Sequence, residues 1–399
     1  MNRRLSALIK FYRRRSILGY WIWAALAMVA GTVVGEALSE ELVWMGLRYR
    51  VYSVFQSLRP RPPTPKWTAL VLVDDDEYWK GELARRVPIK RDYLGKLLAA
   101  LSRCRPIAVG LDFDLRSPAR DVSDNPLYSG ETEVLKKEVE RVSADFPVVL
   151  PVSLNEDKSS LDPSVLDGIA SRPHAVVRGF IAMPYDFRQV PTTESLAGGE
   201  TVPSFALALA AEAHPRIGKS YEGKPGEFPF GSFAPMAAFQ PYTIRSGDLL
   251  RGGQATCRSV NHKLVILGAA WHRTAYGRGD LIDSHDSPIG TVGKYFMHAN
   301  YVEALLEERT YIPLNRVASR AVEILFALVA LHVLASTWPF AGKFATVLGI
   351  TGMLAVVTYF GAQNLAVFGD FVFPALFLIL HAVVDYFWDL VVISKKYQR

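Results

Sequence analysis

Acidic side chains gather at three places along this 399-residue chain. The apolar run Ala69–Val73 leads into Asp74, Asp75 and Asp76, and Ile107–Leu111 leads into Asp112 and Asp114. The polar stretch Gly277–Gly290 holds Asp280, Asp283, His285 and Asp286. Carboxylates grouped with an imidazole suit a divalent cation, which makes Asp280, Asp283, His285 and Asp286 the candidate metal ligands. Gly, Asp and Ser in one loop are also what turns are made of. Acids that end strands sit where α/β sheets bind ligands, or they cap the turns and helices that follow. The candidate ligand-binding set is Asp74, Asp75, Arg91, Asp112, Asp114, Asp280 and His298. His298, a lone histidine opening an expected helix, also reads as a packed or capping residue. No Gly-x-Ser-x-Gly, His-Glu-x-x-His or phosphate-binding Gly-x-x-x-x-Gly-Lys-Ser/Thr motif occurs. The chain therefore reads as no enzyme, with a hydrolase using the strand-end carboxylates as the catalytic alternative. No motif names a cofactor.

A fourth group lies near the C-terminus. His381, Asp385 and Asp389 are spaced i, i+4, i+8, along one face of an apolar helix. Ionisable groups within a bilayer are costly and turn towards a partner. Their expected partners are His332, a second copy of the chain or another protein; internal packing of the bundle is the alternative.

The elements that would carry these residues follow from hydropathy and charge. Half of the residues are hydrophobic, and the longest apolar runs lie at the two ends. Residues 17–38 form a run long enough to cross a bilayer, preceded by Arg3, Arg4, Lys10, Arg13, Arg14 and Arg15. Three more expected spans are 321–337, 344–362 and 371–393, followed by a 394–399 tail with Lys395, Lys396 and Arg399. Four crossings place every basic flank, 1–16 included, on the cytoplasmic side and residues 40–317 outside it. The expected location is a bacterial inner membrane, with the lipid bilayer as one partner. Nine cationic residues at the two ends exceed the chain's net +6, so the middle is mildly acidic and does not seek nucleic acid. Cys104 and Cys257 are the two cysteines. An external domain allows a bridge between them, but two free buried thiols are the preferred expectation.

Within residues 40–317, the runs Ala69–Val73, Ile107–Leu111, Val148–Val152, Val176–Ile181 and Leu264–Leu267 are continuously apolar. This suits strands covered on both faces. Arg91–Cys104 carries Tyr93, Leu94, Leu97, Leu98 and Leu101 at helical spacing. Strand, helix, strand predicts a βαβ unit, with Asp74 and Asp112 brought together, in an α/β fold whose sheet is at least partly parallel and flanked by helices. Pro203–His214 and His298–Glu307 are further expected helices.

These residues resemble a known family. Leu72–Asp75, Arg91 and Ile107–Asp114 resemble the opening of a CHASE2 domain, an extracytoplasmic sensory domain of bacterial signalling proteins. Ser204–Ala210 is similar to its central helix and Leu264–Ala269 to its late strand. Asp280, Ser287-Pro288 and Gly293 to His298-Ala299-Asn300 are similar to its closing motif. The resemblance spans about 65 to 315, and one membrane helix before and three after is the usual arrangement in that family. Where members carry Asp-x-Asp-Gly-x-x-Arg, this chain has Tyr185-Asp186-Phe187-Arg188-Gln189-Val190-Pro191. Members often continue into a cytoplasmic cyclase or kinase; no such segment follows the last expected span here. The resemblance implies a sensory or regulatory subunit acting through a separate cytoplasmic or membrane effector, and a homodimer is the default expectation for a membrane sensor. A structural scaffold subunit of a membrane complex is the alternative.

Overall fold

The computed structural model describes residues 41–58, 62–117, 126–252, 254–275 and 277–311, with a few helical residues between 345 and 356. Chain contacts define two units. One runs Tyr49–Thr310; the other comprises Met1–Arg48 and Tyr311–Arg399. The expected spans 17–38, 321–337 and 371–393 lie outside the described residues, as do His332, His381, Asp385 and Asp389, and only scattered residues of 344–362 are described. Among the described residues, no helix is long and apolar enough to cross a membrane.

The elements that matter begin with α1 (Leu42–Ser57), β1 (Thr68–Asp74), α2 (Arg91–Ser102), β2 (Ala108–Asp112), α3 (Pro126–Val142), β3 (Val148–Val152) and β4 (Val176–Phe180). A small antiparallel pair, β5 (Thr193–Ser195) and β6 (Thr201–Pro203), precedes α4 (Phe205–Ala213). Then come β7 (Thr243–Arg245), α5 (Ser246–Arg251) and β8 (Leu264–Ala270). Two hairpins follow, β9 (His272–Thr274) with β10 (Arg278–Leu281) and β11 (Ser284–Ser287) with β12 (Gly290–Gly293). The last helix considered is α6 (Lys294–Leu306).

Six strands form one sheet in the order β4-β3-β2-β8-β1-β7, and every pairing is parallel. The expectation of a partly parallel sheet is thus met by a wholly parallel one. Val148–Val152 and Ala108–Asp112 are buried at every position, as strands covered on both faces must be. On one face Leu94, Leu97, Leu98 and Leu101 of α2 and Leu135, Val139 and Val142 of α3 join Val71, Val109, Leu150, Val265 and Leu267 in a single core.

On the opposite face glycines let α4 and α6 approach the strands. A Cβ on Gly179 of β4 would lie 2.7 Å from the Phe205 Cα, and one on Gly268 of β8 would lie 2.5 Å from the Tyr295 Cβ. Backbone cannot give way as a side-chain tip can, so Gly179 fixes how α4 sits on the sheet. Ser204 caps that helix: its Oγ accepts from the Leu207 N–H at 3.0 Å and donates to the Pro191 carbonyl at 2.6 Å.

Three expectations need correction. Cys104, just past α2, is disulfide-bonded to Cys257, with Cα atoms 4.8 Å apart, so these are not free thiols. The pairing spans 153 residues and depends on how α2 packs beside the segment before β8, which local sequence does not show. The last helix begins at Lys294, not His298; Tyr295, Phe296 and Met297 are buried and belong to it. His298 therefore lies in its second turn and caps nothing. Finally, Asp74 and Asp112 are not adjacent, because β8 inserts between β1 and β2. Two interstrand steps separate them by roughly 10 Å.

Candidate functional site

The carboxyl ends of β1, β2 and β8 form one edge of the sheet, with the two hairpins and the start of α6 following from β8. Most of the acids predicted there are held locally. Asp74 accepts from the Glu77 N–H at 3.2 Å and pairs with Arg245 of β7 at 3.3 Å. Asp75 accepts from the His272 backbone N–H at 2.8 Å and meets His272 Nδ1 at 2.7 Å. Asp114 forms a forked pair with Arg116, at 3.0 Å to Nε and 2.6 Å to Nη2, and the guanidinium holds its carboxyl below the usual range. Arg91 is buried between α2 and α3. Its guanidinium donates to Thr132 and its backbone N–H donates to Glu131 at 3.2 Å. Burial lowers the pKa of Arg91, and its partners on α3 hold it apart from the strand-end acids.

Asp112 differs. It is 8 % exposed, and its Oδ1 lies 3.6 Å from Nε2 of His298, which is 1 % exposed. That separation is too long for a hydrogen bond. Neither ring nitrogen of His298 has a hydrogen-bond partner among the described residues. The imidazole is walled by aromatic rings, with the Phe205 centroid at 5.0 Å and the Tyr301 centroid at 6.3 Å. Burial raises the Asp112 carboxyl to about 7, with Lys294 and His285 opposing and Asp283 reinforcing the rise. Burial pushes His298 well below its ordinary 6.5.

The hairpin residues contribute a second acid–imidazole pair. His285 Nε2 lies 3.3 Å from Asp283 Oδ1, and this contact, aided by Lys294 and opposed by burial, lowers the Asp283 pKa. The Asp283 carbonyl also accepts from the Lys294 N–H at 3.1 Å, tying the hairpin to the first turn of α6. The other members of the expected cation set lie apart. Asp286 alternates to the other side of β11 and accepts from the Thr291 hydroxyl, and Asp280 is exposed on β10. Among the described residues, no three His, Cys, Asp or Glu side chains come together as a metal site.

Two groups with structural weight escaped the sequence reading. Glu303 of α6 is fully buried, and its Oε1 accepts from the Trp67 N–H at 2.8 Å, the Thr68 N–H at 2.7 Å and the Thr68 hydroxyl at 2.8 Å. Its only signal was a lone acid in the otherwise apolar stretch Tyr301–Leu305. Lys294 carries no motif, yet its charge bears on Asp112, Asp114, Asp283 and His298. Beyond β3 and β4 a cleft of about 170 Å³ is lined by Leu154, Phe180, Tyr185 and Phe228, with Lys158 and Glu194 paired at 2.7 Å. It includes none of the expected ligand-binding residues.

A family model described as the CHASE2 domain matches residues 23–335. No curated protein and no solved structure matches the chain significantly.

Proposed function

Because the chain belongs to the CHASE2 family, an extracytoplasmic sensory domain family, we propose that it is the sensory subunit of a bacterial membrane signalling system. In this reading residues 40–317 face the cell exterior, spans at 17–38, 321–337, 344–362 and 371–393 hold them there, and the state of the domain passes to a separate effector protein. The observation that carries the reading is the Asp112–His298 pair. A buried acid and a buried imidazole, left without hydrogen bonds between them at the ligand-binding edge of a parallel sheet, are not what packing alone selects. The Cys104–Cys257 bridge supports an oxidising, external setting. The role is non-catalytic, and the hydrolase alternative requires Asp112→Asn to abolish an activity.

A scaffold role is the second reading. The Arg partners of Asp74 and Asp114 and the His272 contact of Asp75 favour it, because they already satisfy the edge. The two readings separate in one experiment. The intact protein is purified in mild detergent from its native membranes, and co-purifying proteins are quantified for wild type, Asp112→Asn, His381→Ala and Asp385→Ala. The sensory reading expects a stable partner whose recovery falls several-fold in the His381 or Asp385 variant and changes in Asp112→Asn. Complexes identical in all four samples would sink it.

A further inference from the structure

We infer, resting on the sensory reading above, that the domain takes up and releases a proton at the Asp112–His298 pair, and that this charge change shifts Lys294 between Asp112 and Asp283. The side chains of the pair are 5 % and 1 % exposed. Burial at that depth disfavours any net charge. Of the two net-neutral arrangements of a single proton, carboxylic acid beside neutral imidazole is the one burial favours, since it raises Asp112 and lowers His298. The macroscopic titration belongs to the pair and not to either member. At 3.6 Å the two groups stand one small displacement from a direct hydrogen bond. Among the described residues, neither ring nitrogen of His298 has a hydrogen-bond partner.

The surroundings decide what release of the proton does. α4 presents Phe205, which carries no charge. α6 presents Tyr301, and Tyr295, whose phenol burial and Asp112 push up to about 12; both stay neutral at physiological pH. Among the described residues, the other ionisable groups that bear on the pair are Lys294, at the start of α6, and Asp283 and His285 at the hairpin. When the pair loses its proton to solvent, the bonding electrons stay behind and a buried carboxylate remains. Lys294 stands one helical turn before His298, and its N–H donates to the Asp283 carbonyl at 3.1 Å, so it is the cation placed to compensate the carboxylate. Lys294 now also helps hold Asp283 ionised, so its move towards Asp112 weakens its grip on the hairpin. Proton uptake reverses the shift. The acid–imidazole pair thus links external acidity to the packing of β11 and β12 on α6.

The test uses the full-length protein in detergent. Infrared absorption of protonated carboxylic acid is titrated between about pH 5 and about pH 8, where ordinary carboxylates are ionised. Wild type is expected to show one carboxyl band that disappears with a midpoint near neutrality. That band should be missing in Asp112→Asn, and its midpoint should move up by about one pH unit or more in Lys294→Gln, which removes the compensating cation. Amide hydrogen exchange in Ser284–Gly293, corrected for intrinsic rates, should change with the same midpoint in wild type and not in Asp112→Asn. A wild-type protein without a carboxyl band above about pH 6, or a midpoint unmoved in Lys294→Gln, overturns the proposal. The Lys294 variant keeps the test decisive if Asp112→Asn does not fold. Proton uptake together with a partner association indifferent to pH would leave this site standing and overturn the sensory reading alone.

Discussion

Asp112 and Glu303 are both buried carboxylates, but their environments set them opposite tasks. Glu303 receives backbone N–H groups from the start of β1, and those bonds tie the last helix to the first strand. Glu303→Gln replaces one acceptor by a donor, which in the Oε2 position faces the Lys66 N–H. We expect a loss of roughly 1.5–3 kcal/mol, read by denaturant unfolding of the full chain. Asp112 has no such cradle, and its carboxyl is raised from 3.8 to about 7. A raised carboxyl pKa favours folding while the group stays protonated, and that stability is lost as pH rises from about 4 through about 7. At most the loss is about 4 kcal/mol, and Asp112→Asn should flatten it in unfolding curves taken across that window. His298 acts in the other direction. Its depressed pKa means stability is lost as pH falls below 6.5, and His298→Gln should relieve that acid-side loss.

At the scale of elements, α4 is held by its cap and by the glycine beneath it. Ser204→Ala removes both bonds of a buried cap and should cost about 1–2 kcal/mol in thermal or denaturant unfolding. Gly179→Ala would place a methyl 2.7 Å from the Phe205 Cα and should cost about 1–3 kcal/mol, because the helix must lift from the strand. Much of this framework was legible in the sequence. Val148–Val152 matches its strand at both ends, and Arg91–Cys104 overshoots α2 by two residues. Continuous apolar runs and an i, i+3, i+4 pattern record burial directly. Two elements were not legible. α3 presents only Leu135, Val139 and Val142 among charged neighbours, so its apolar stripe is thin. β7 has three residues and pairs along one edge only, too little to leave a pattern. The site was half legible. The strand-end acids were visible, but whether each was capped, paired or buried depended on partners such as Arg245 and His272, which are remote in sequence. The hairpins also looked like one polar loop, because four-residue strands rich in Gly, Asp and Ser carry no apolar alternation.

On the scale of the whole molecule, one covalent link joins regions 153 residues apart. Closing so long a loop restricts the unfolded chain, and Cys104→Ser is expected to lower stability by roughly 2–5 kcal/mol, checked by unfolding with and without reductant. The sheet order has a consequence of its own. β8 lies between β1 and β2, yet it is synthesised more than 150 residues after the end of β2. Until Leu264–Ala270 has emerged from the ribosome, β1 and β2 each lack an inner neighbour, and their open edges invite pairing with other chains. The nascent chain must therefore be kept apart from its copies until most of the domain has been made, and the central strand arrives last, as a keystone.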